Sequence, residues 1–254
     1  MKILAFIQAR VRSKRLPKKV LLTIEDKTVI EHVYLRLKKS RLLDDIFVLT
    51  TNHKSDKKIV ELCKKKKFRY FRGKEKDVLD RYYQAAKKHK AKLIVRITAD
   101  CPVIDPFIVD DVINTLLRGK YDFCSLYGNF PDGLDCQVFT FKALEKSWLE
   151  ASLKSDREHV GSYIENTQPK RFKIGKYIKF KNLGHLRLTL DEKKDYIFLK
   201  KIYSKLYKKN SFFHTSDIIN LLKKDPKLIK INKGIVRNQG YLISLQNEKK
   251  NKKY

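Results

Sequence analysis

The chain has 254 residues, 42% of them hydrophobic, which is enough to bury a sizeable core and excludes a disordered polymer despite 34% charged residues. A formal net charge of +31 raises nucleic acid as a partner. The excess is largely lysine on helical segments, as at Lys38-Lys39, residues 64–67 and Lys87-Lys88, without the interleaved arginines and aromatics of a base-stacking platform. A basic nucleic-acid-binding protein therefore stands as the alternative of another class, and no nucleic-acid partner is expected.

Residues 3–7 are an apolar run that reads as a buried strand, and a loop with six cations follows: Arg10, Arg12, Lys14, Arg15, Lys18 and Lys19. A first strand opening into a basic loop is a common way to hold a polyphosphate at the carboxyl edge of a parallel sheet. No glycine-rich phosphate loop is present, so side chains would have to supply the grip. Periodicity predicts a helix over 29–41, with Ile30, Val33, Tyr34 and Leu37 on one face. A strand follows at 46–50. Ser55 and Asp56 offer an N-cap and an early acid for a helix carrying Ile59, Val60 and Leu62. Residues 68–71 read as a strand, 77–89 as a helix and 93–97 as a strand. This rhythm predicts an α/β fold with a parallel sheet and helices on both faces.

Asp105-Pro106 opens a helix to about Leu117. Residues 121–127 and 134–141 read as strands around the turn-rich segment 128–133. Ser155-Asp156-Arg157-Glu158 looks like a capping box. Further strands are expected at 172–180 and 186–190, then helices at 192–207 and 215–223. The polar tail, 247–254, is expected to fray. No internal repeat or linker divides the chain, so residues 1–246 are expected to form one domain with a C-terminal helical extension from about 192. Cys63, Cys101, Cys124 and Cys136 form no C-x-x-C pair and have no histidines at zinc spacing, as expected of free thiols in a reducing, cytoplasmic setting. Five apolar residues before Gln8 are too few for a signal-peptide core, and no segment approaches the ~20 apolar residues of a membrane span.

Two aspartates end apolar strands. Asp100 follows the 93–97 run, and Asp191 follows 186–190. Carboxylates at separate strand ends suit magnesium, which takes one or two of them plus phosphate oxygens and water. Each aspartate could instead cap the helix that follows it. Asp77, Asp80 and Arg81 lie on neighbouring faces of one first helical turn, where acids also compensate the helix dipole. Asp132-Gly133-Leu134-Asp135 and Arg157-Glu158-His159 could bind a polar acceptor or serve as turn and cap chemistry. His185 and Arg187, two apart on a predicted strand, are expected on one side of it.

With these residues in hand, the chain resembles cytidylyltransferases of the spore-coat-polysaccharide type, relatives of the enzymes that activate acylneuraminate and 3-deoxy-manno-octulosonate with CTP. The matching motifs are Ile7-Gln8-Ala9-Arg10, Ser13, Arg15-Leu16-Pro17 and Lys19-Val20-Leu21, then Glu31-His32-Val33, Phe71-Arg72-Gly73, residues 77–83, Arg96-Ile97-Thr98 and Asp100-Cys101-Pro102. Asp132-Gly133-Leu134-Asp135, Arg157-Glu158-His159-Val160, His185-Leu186-Arg187, Asp191, Asn232, Ile235, Arg237-Asn238 and Gly240-Tyr241 continue the order to the C-terminus.

The resemblance implies a Rossmann-like, mixed but mostly parallel sheet of the nucleotide-diphospho-sugar transferase type, similar to the GT-A fold. It also implies a Mg2+-dependent attack of an acceptor oxygen on the α-phosphorus of CTP. On that basis Arg10, Lys19 and Asp100 would be catalytic, and Asp100 and Asp191 would hold the metal. Gln8, Ala9, Arg10, Ser13, Arg15, Lys19, Asp77, Asp80 and Arg81 would bind the nucleotide. Asp132, Gly133, Asp135, Glu158, His159, His185 and Arg187 would face an acidic or phosphorylated small-molecule acceptor. A homodimer is implied as well. Three positions depart from the pattern: Lys18 stands where a glycine is common after Leu-Pro, Ala99 at the place of a frequent glycine, and Glu192-Lys193 where Thr-Pro commonly follows the second aspartate. A glycosyltransferase using a nucleotide sugar on the same fold is the competing enzyme reading, although the Asp-x-Asp dyad is lacking at Asp100, where Cys101-Pro102 follows.

Overall fold

The computed structural model describes residues 1–13 and 15–251; Lys14 of the basic loop and residues 252–254 of the tail lie outside the described residues. Its framework is a seven-stranded sheet with the order β5-β4-β1-β6-β8-β7-β9. These strands are β1 (Ile3–Gln8), β4 (Asp45–Thr51), β5 (Arg69–Gly73), β6 (Leu93–Thr98), β7 (Phe123–Leu126), β8 (Gln137–Thr140) and β9 (Ile174–Tyr177). The short strands β2 (Thr23–Ile24) and β3 (Lys27–Thr28) form a separate hairpin. β5, β4, β1 and β6 run parallel; β8 is antiparallel to both β6 and β7, and β9 is parallel to β7. The sheet is mixed and mostly parallel, as expected.

Alternation along the central strands sorts the core into two layers. Ala5, Ile7, Val95 and Ile97 pack with α1 (Val29–Leu37), α2 (Lys57–Lys66), α4 (Pro106–Gly119), α7 (Lys193–Leu206) and α8 (Thr215–Lys224). Leu4, Phe6 and Ile94 pack with α3 (Val78–Lys88), α5 (Phe141–Glu150) and the segment after α6 (Lys154–His159). The chain winds from β1 outward to β4 and β5, then returns to place β6 on the other side of β1. The carboxyl ends of β1 and β6 therefore flank a switch in strand order, where open α/β sheets form their ligand crevice.

Local chemistry sets the helix starts. Thr28 and Glu31 complete a capping box on α1, Asp77 caps α3, and Asp105 with Pro106 at the first helical position starts α4. Several expectations are corrected. Ser55 caps nothing: the side chain of His53 accepts from its amide, and Asp56 spends its carboxylate elsewhere. Ser155 does not cap α6, which has Leu153 at its N-cap; Ser155 instead donates to Glu248 of α9 (Gln239–Asn251). Residues 186–190 are not a sheet strand. They run extended, joined to the neighbouring turn by a single bridge between Asp132 and Arg187. α5 was unforeseen because its apolar positions continue the β8 run without a break. The expected frayed tail is helical through Asn251 as part of α9.

Candidate active site

The basic loop is shaped from below by a residue that the motif left out. Buried Asp56 accepts the Val11 amide at 2.8 Å through Oδ1 and the Thr51 hydroxyl through Oδ2. Val11 in turn accepts the amides of Ser13 and Lys18, at 2.9 and 3.1 Å, which doubles the loop back on itself. Lys18, at the place of a common glycine, adopts φ 59° and ψ 19°. The fold therefore keeps the left-handed conformation that glycine would take without cost. Ala99 has no such requirement, because its φ is not among the positive ones.

The turn that follows delivers Lys19 to the two aspartates singled out in the sequence. Its Nζ lies 2.5 Å from Asp100 Oδ2 and 2.5 Å from Asp191 Oδ1, and Arg15 reaches Asp191 Oδ2 at 3.0 Å. Asp191 is free to do this because it does not cap the next helix. Glu192 does, in a reciprocal pairing with Asp195. The extended 186–190 segment is tied to the sheet through Asp100, whose carbonyl accepts the Leu190 amide at 2.8 Å and the Thr189 hydroxyl at 3.2 Å. Two strand-end aspartates far apart in sequence thereby converge. Burial opposes the charge on Lys19, but Asp100 and Asp191 outweigh it and raise its pKa. Burial likewise works against ionised Asp191, and Lys19 and Arg15 overcome it, holding the carboxyl down at about 2.

Arg187 organises the back wall. Its Nη1 donates to Asp132 at 2.7 Å, its Nε and Nη2 to Asp195 at 2.9 and 3.1 Å, and its Nη2 also reaches Asp191 at 3.4 Å. Fully buried Asp195 additionally accepts the Asp191 and Glu192 amides and the Asn232 side chain, each at 3.0 Å. Burial, then repulsion from Asp135, pushes Asp132 up to about 6, against the pull of Arg187. Gly133 (φ +98°) passes so close that a Cβ would sit 2.5 Å from the Thr189 amide nitrogen, which makes glycine necessary there. Asp135 accepts the Gly133 amide at 2.9 Å and faces Arg237 at 3.7 Å.

The other expected residues separate into two groups. Arg10 is half exposed and its guanidinium lies 3.4 Å from Glu158, so the basic loop and α6 meet across the crevice. Gln8 sits at the β1 carboxyl end, Ala9 is buried with its amide on Leu49, and Ser13 is half-buried in the loop. His159 lies 3.1 Å from the Ser244 hydroxyl, and burial, with Arg96 and Arg10 adding to it, lowers its pKa to about 4.

Asp77 caps α3 and pairs with Arg157 at 2.8 Å. Asp80 and Arg81 are buried: Asp80 accepts from Gln84 and Trp148, while Arg81 packs on Gly73, donates to the Lys74 carbonyl and feels the charges of Arg10 and Asp56 beneath the basic loop. Asp80 therefore faces α5, whereas Arg81 faces the carboxyl end of β5. His185 is exposed and its ring bonds to the Asn182 carbonyl, whereas Arg187 is buried. Without strand pairing, the period-2 argument that placed His185 and Arg187 on one side does not apply. Asp56 and Asp195 were missed. Asp195 had a legible signal, since it stands three residues after Glu192 in a reciprocal cap.

No group of three or more His, Cys, Asp or Glu suited to a metal occurs among the described residues. The convergence of Asp100 and Asp191 still fits magnesium, which needs only one or two carboxylates when phosphates and water supply the rest. No helix among the described residues is long and apolar enough to cross a membrane.

The chain is 43% identical over 248 residues to an uncharacterized protein of Methanocaldococcus jannaschii, covering 95% of this chain and 98% of that one. It is 30% identical to the spore coat polysaccharide biosynthesis protein SpsF of Bacillus subtilis, over 88% of this chain and 95% of that protein. The solved structure of a cytidylyltransferase from Leptospira borgpetersenii serovar Hardjo-bovis superposes with a TM-score of 0.86 at 36% identity, covering 93% of this chain and 100% of that chain. Residues 4–228 match the family model described as cytidylyltransferase, and the chain belongs to the cytidylyltransferase family.

Proposed function

We propose that the protein transfers CMP from CTP to an acidic sugar or phosphorylated acceptor in polysaccharide biosynthesis, with Mg2+ held by Asp100 and Asp191. The observation that carries this reading is the convergence of Lys19, Asp100 and Asp191 at the β1–β6 switch point, with Lys19 2.5 Å from both carboxylates. An acceptor oxygen forms the new bond to the α-phosphorus, releasing its proton to solvent where it is a hydroxyl, and the bond to the pyrophosphate oxygen breaks. Bound magnesium would supply charge neutralisation at the phosphate oxygens. Lys19 has three N–H donors to offer the triphosphate, and Arg10 and Arg15 flank it from the same loop. The crevice has no need of a protein nucleophile, since in-line positioning and electrostatics suffice for such a transfer.

SpsF, named for spore coat polysaccharide biosynthesis, supports the pathway class. Four buried free thiols suit a reducing cytoplasm. The homodimer implied by the family resemblance belongs to the same reading. The test is pyrophosphate release from CTP, MgCl2 and a panel of sugar acids. Asp100→Asn should lower the rate by ~10²–10³-fold and abolish thermal stabilisation by CTP with magnesium. Absence of CTP binding to the wild-type protein, or unchanged stabilisation in Asp100→Asn, would sink the assignment.

A further inference from the structure

Charge is not spread evenly over the two sides of the sheet. Residues 193–233, on the side that holds α7 and α8, contain twelve lysines and three aspartates. Residues 141–171, which include α5 and α6 on the opposite side, contain six lysines and arginines against five acids. A lysine-rich composition alone would load both sides alike, so the excess has a place in the fold. α7 packs on α8 and on the short helical turn Pro226–Ile231, and all three bury their apolar residues in one layer. Phe198, Leu199, Ile202, Ile218, Leu222 and Leu228 belong to that layer, and all twelve lysines are exposed on its outer side.

Spacing puts the lysines of α7 on a single stripe. The pairs Lys193-Lys194, Lys200-Lys201 and Lys208-Lys209 recur at about two helical turns, with Lys205 between the last two. Ile197 stands in the same stripe and is 42% exposed. Lys223 and Lys224 end α8, and Lys227, Lys230 and Lys233 follow along the next turn and just beyond it. Cations in a last helical turn complement the helix dipole, which accounts for Lys205, Lys223 and Lys224. It does not account for Lys193 and Lys194, which open α7 where positive charge is unfavourable. Nor do acids answer the patch. Among the described residues only Lys205 of the twelve has a carboxylate within 4.0 Å, that of Asp225 at 3.8 Å. Uncompensated like charge works against the compact state, and a polyanionic surface relieves it.

We propose that this face docks on an anionic lipid leaflet, where the protein sits peripherally through the α7 stripe. The inference is independent of the cytidylyl-transfer reading above. Two kinds of polyanion would meet such charge, a membrane and a nucleic acid, and the chemistry of the patch favours the first. Residues 193–233 contain no arginine, the residue that grips phosphates bidentately. The tyrosines are tied inward: Tyr196 donates to the Thr23 carbonyl, Tyr203 to the Pro102 carbonyl and Tyr207 to Asp26, at 2.6, 2.7 and 2.8 Å. Phe212 lies against the Arg36 guanidinium. These rings are therefore not free to stack on bases. Lysines act as point charges that need only a diffuse field, which a charged leaflet supplies, and Ile197 is placed among them to enter the headgroup region. Among the described residues none of the twelve pairs with Asp100 or Asp191, whose partners are Lys19, Arg15 and Arg187. Docking therefore leaves the residues of the crevice unspent.

The experiment is co-sedimentation with vesicles of phosphatidylglycerol and phosphatidylcholine in equal parts, and with vesicles of phosphatidylcholine alone. Wild-type protein should bind the anionic vesicles, ignore the neutral ones, and come off as sodium chloride is raised. A variant with Lys200→Gln, Lys201→Gln, Lys208→Gln and Lys209→Gln should lower the partition coefficient by about 10- to 500-fold, since each lysine close to such a surface contributes about fivefold. Glutamine nearly matches lysine in helix propensity, so the melting temperature should hold. A second variant, with Lys223→Gln, Lys224→Gln, Lys227→Gln and Lys230→Gln, should weaken binding too, which frees the result from the stability of any one helix. A control variant on the α3–α5 side, with Lys87→Gln, Lys88→Gln, Lys90→Gln and Lys142→Gln, loses the same net charge and should bind as wild type does. Failure to bind anionic vesicles, equal binding to neutral ones, an equal loss in the control, or undiminished binding in either patch variant would each overturn the inference. So would displacement from the vesicles by single-stranded DNA at a phosphate concentration below that of the lipid, which would assign the face to nucleic acid.

Discussion

Replacing Asp195 by asparagine changes one atom in the interior and should be expensive. The carboxylate is fully buried and accepts five hydrogen bonds: at Oδ1 from Arg187 Nε and Asn232 Nδ2, and at Oδ2 from Arg187 Nη2 and the amides of Asp191 and Glu192. An amide must turn its NH2 group toward one of these two sets. The less costly choice faces Arg187 Nε and Asn232, leaving two donors without an acceptor and removing the charge that balances Arg187. Breaking a buried ion pair from one side costs ~3–5 kcal/mol. Arg187 keeps Asp132 and Asp191 as partners, so the lower end applies, about 3 kcal/mol. For a chain of this size that is a fall in melting temperature of roughly 6–12 °C. Urea unfolding followed by circular dichroism measures the free energy, and the slope against urea should not change. A loss below about 1 kcal/mol would refute the idea that Asp195 anchors the back wall. Activity should fall with stability, because the same carboxylate holds the Asp191 amide in place.

Two further outcomes follow from local conformation and burial. Lys18→Gly should raise stability by about 0.5–1 kcal/mol in urea unfolding, since it removes a left-handed lysine at φ 59°, partly offset by the entropy of glycine; a lower midpoint would contradict this. His159 has a folded pKa of about 4 against an unfolded 6.5, so the unfolded chain binds more protons between those values. Its contribution to stability is whole above pH 6.5 and is lost as pH falls through that window toward 4, at about 3 kcal/mol. His159→Asn should flatten that limb of a pH series of urea midpoints, and an unaltered acid slope would rule the explanation out.

Much of the frame was legible because strand and helix signals in the first half are local. The apolar β1 run, the helix start beside Asp77 and the Asp105-Pro106 start each act within a few residues, and each appears where the sequence placed it. The reading failed where partners are distant. Asp56 passed for a helix acid because its partner, Val11, lies 45 residues away. His185 and Arg187 passed for strand neighbours because nothing in the 186–190 run announces that it lacks a ladder. Asp80 lies where a cleft was expected and accepts from Trp148 of α5, an element with no separate signal.

By itself the sequence determined the residue types that phosphate and metal chemistry require: a cationic loop after the first strand, and aspartates after two apolar runs. These are properties of short segments, fixed by hydrophobicity, charge and backbone preference. Only the tertiary structure decided that Lys19, Asp100 and Asp191 meet at one point and that Arg187 and Asp195 brace them. Such pairings depend on strand order and on which face each side chain takes. Both are set by packing between segments up to 172 residues apart.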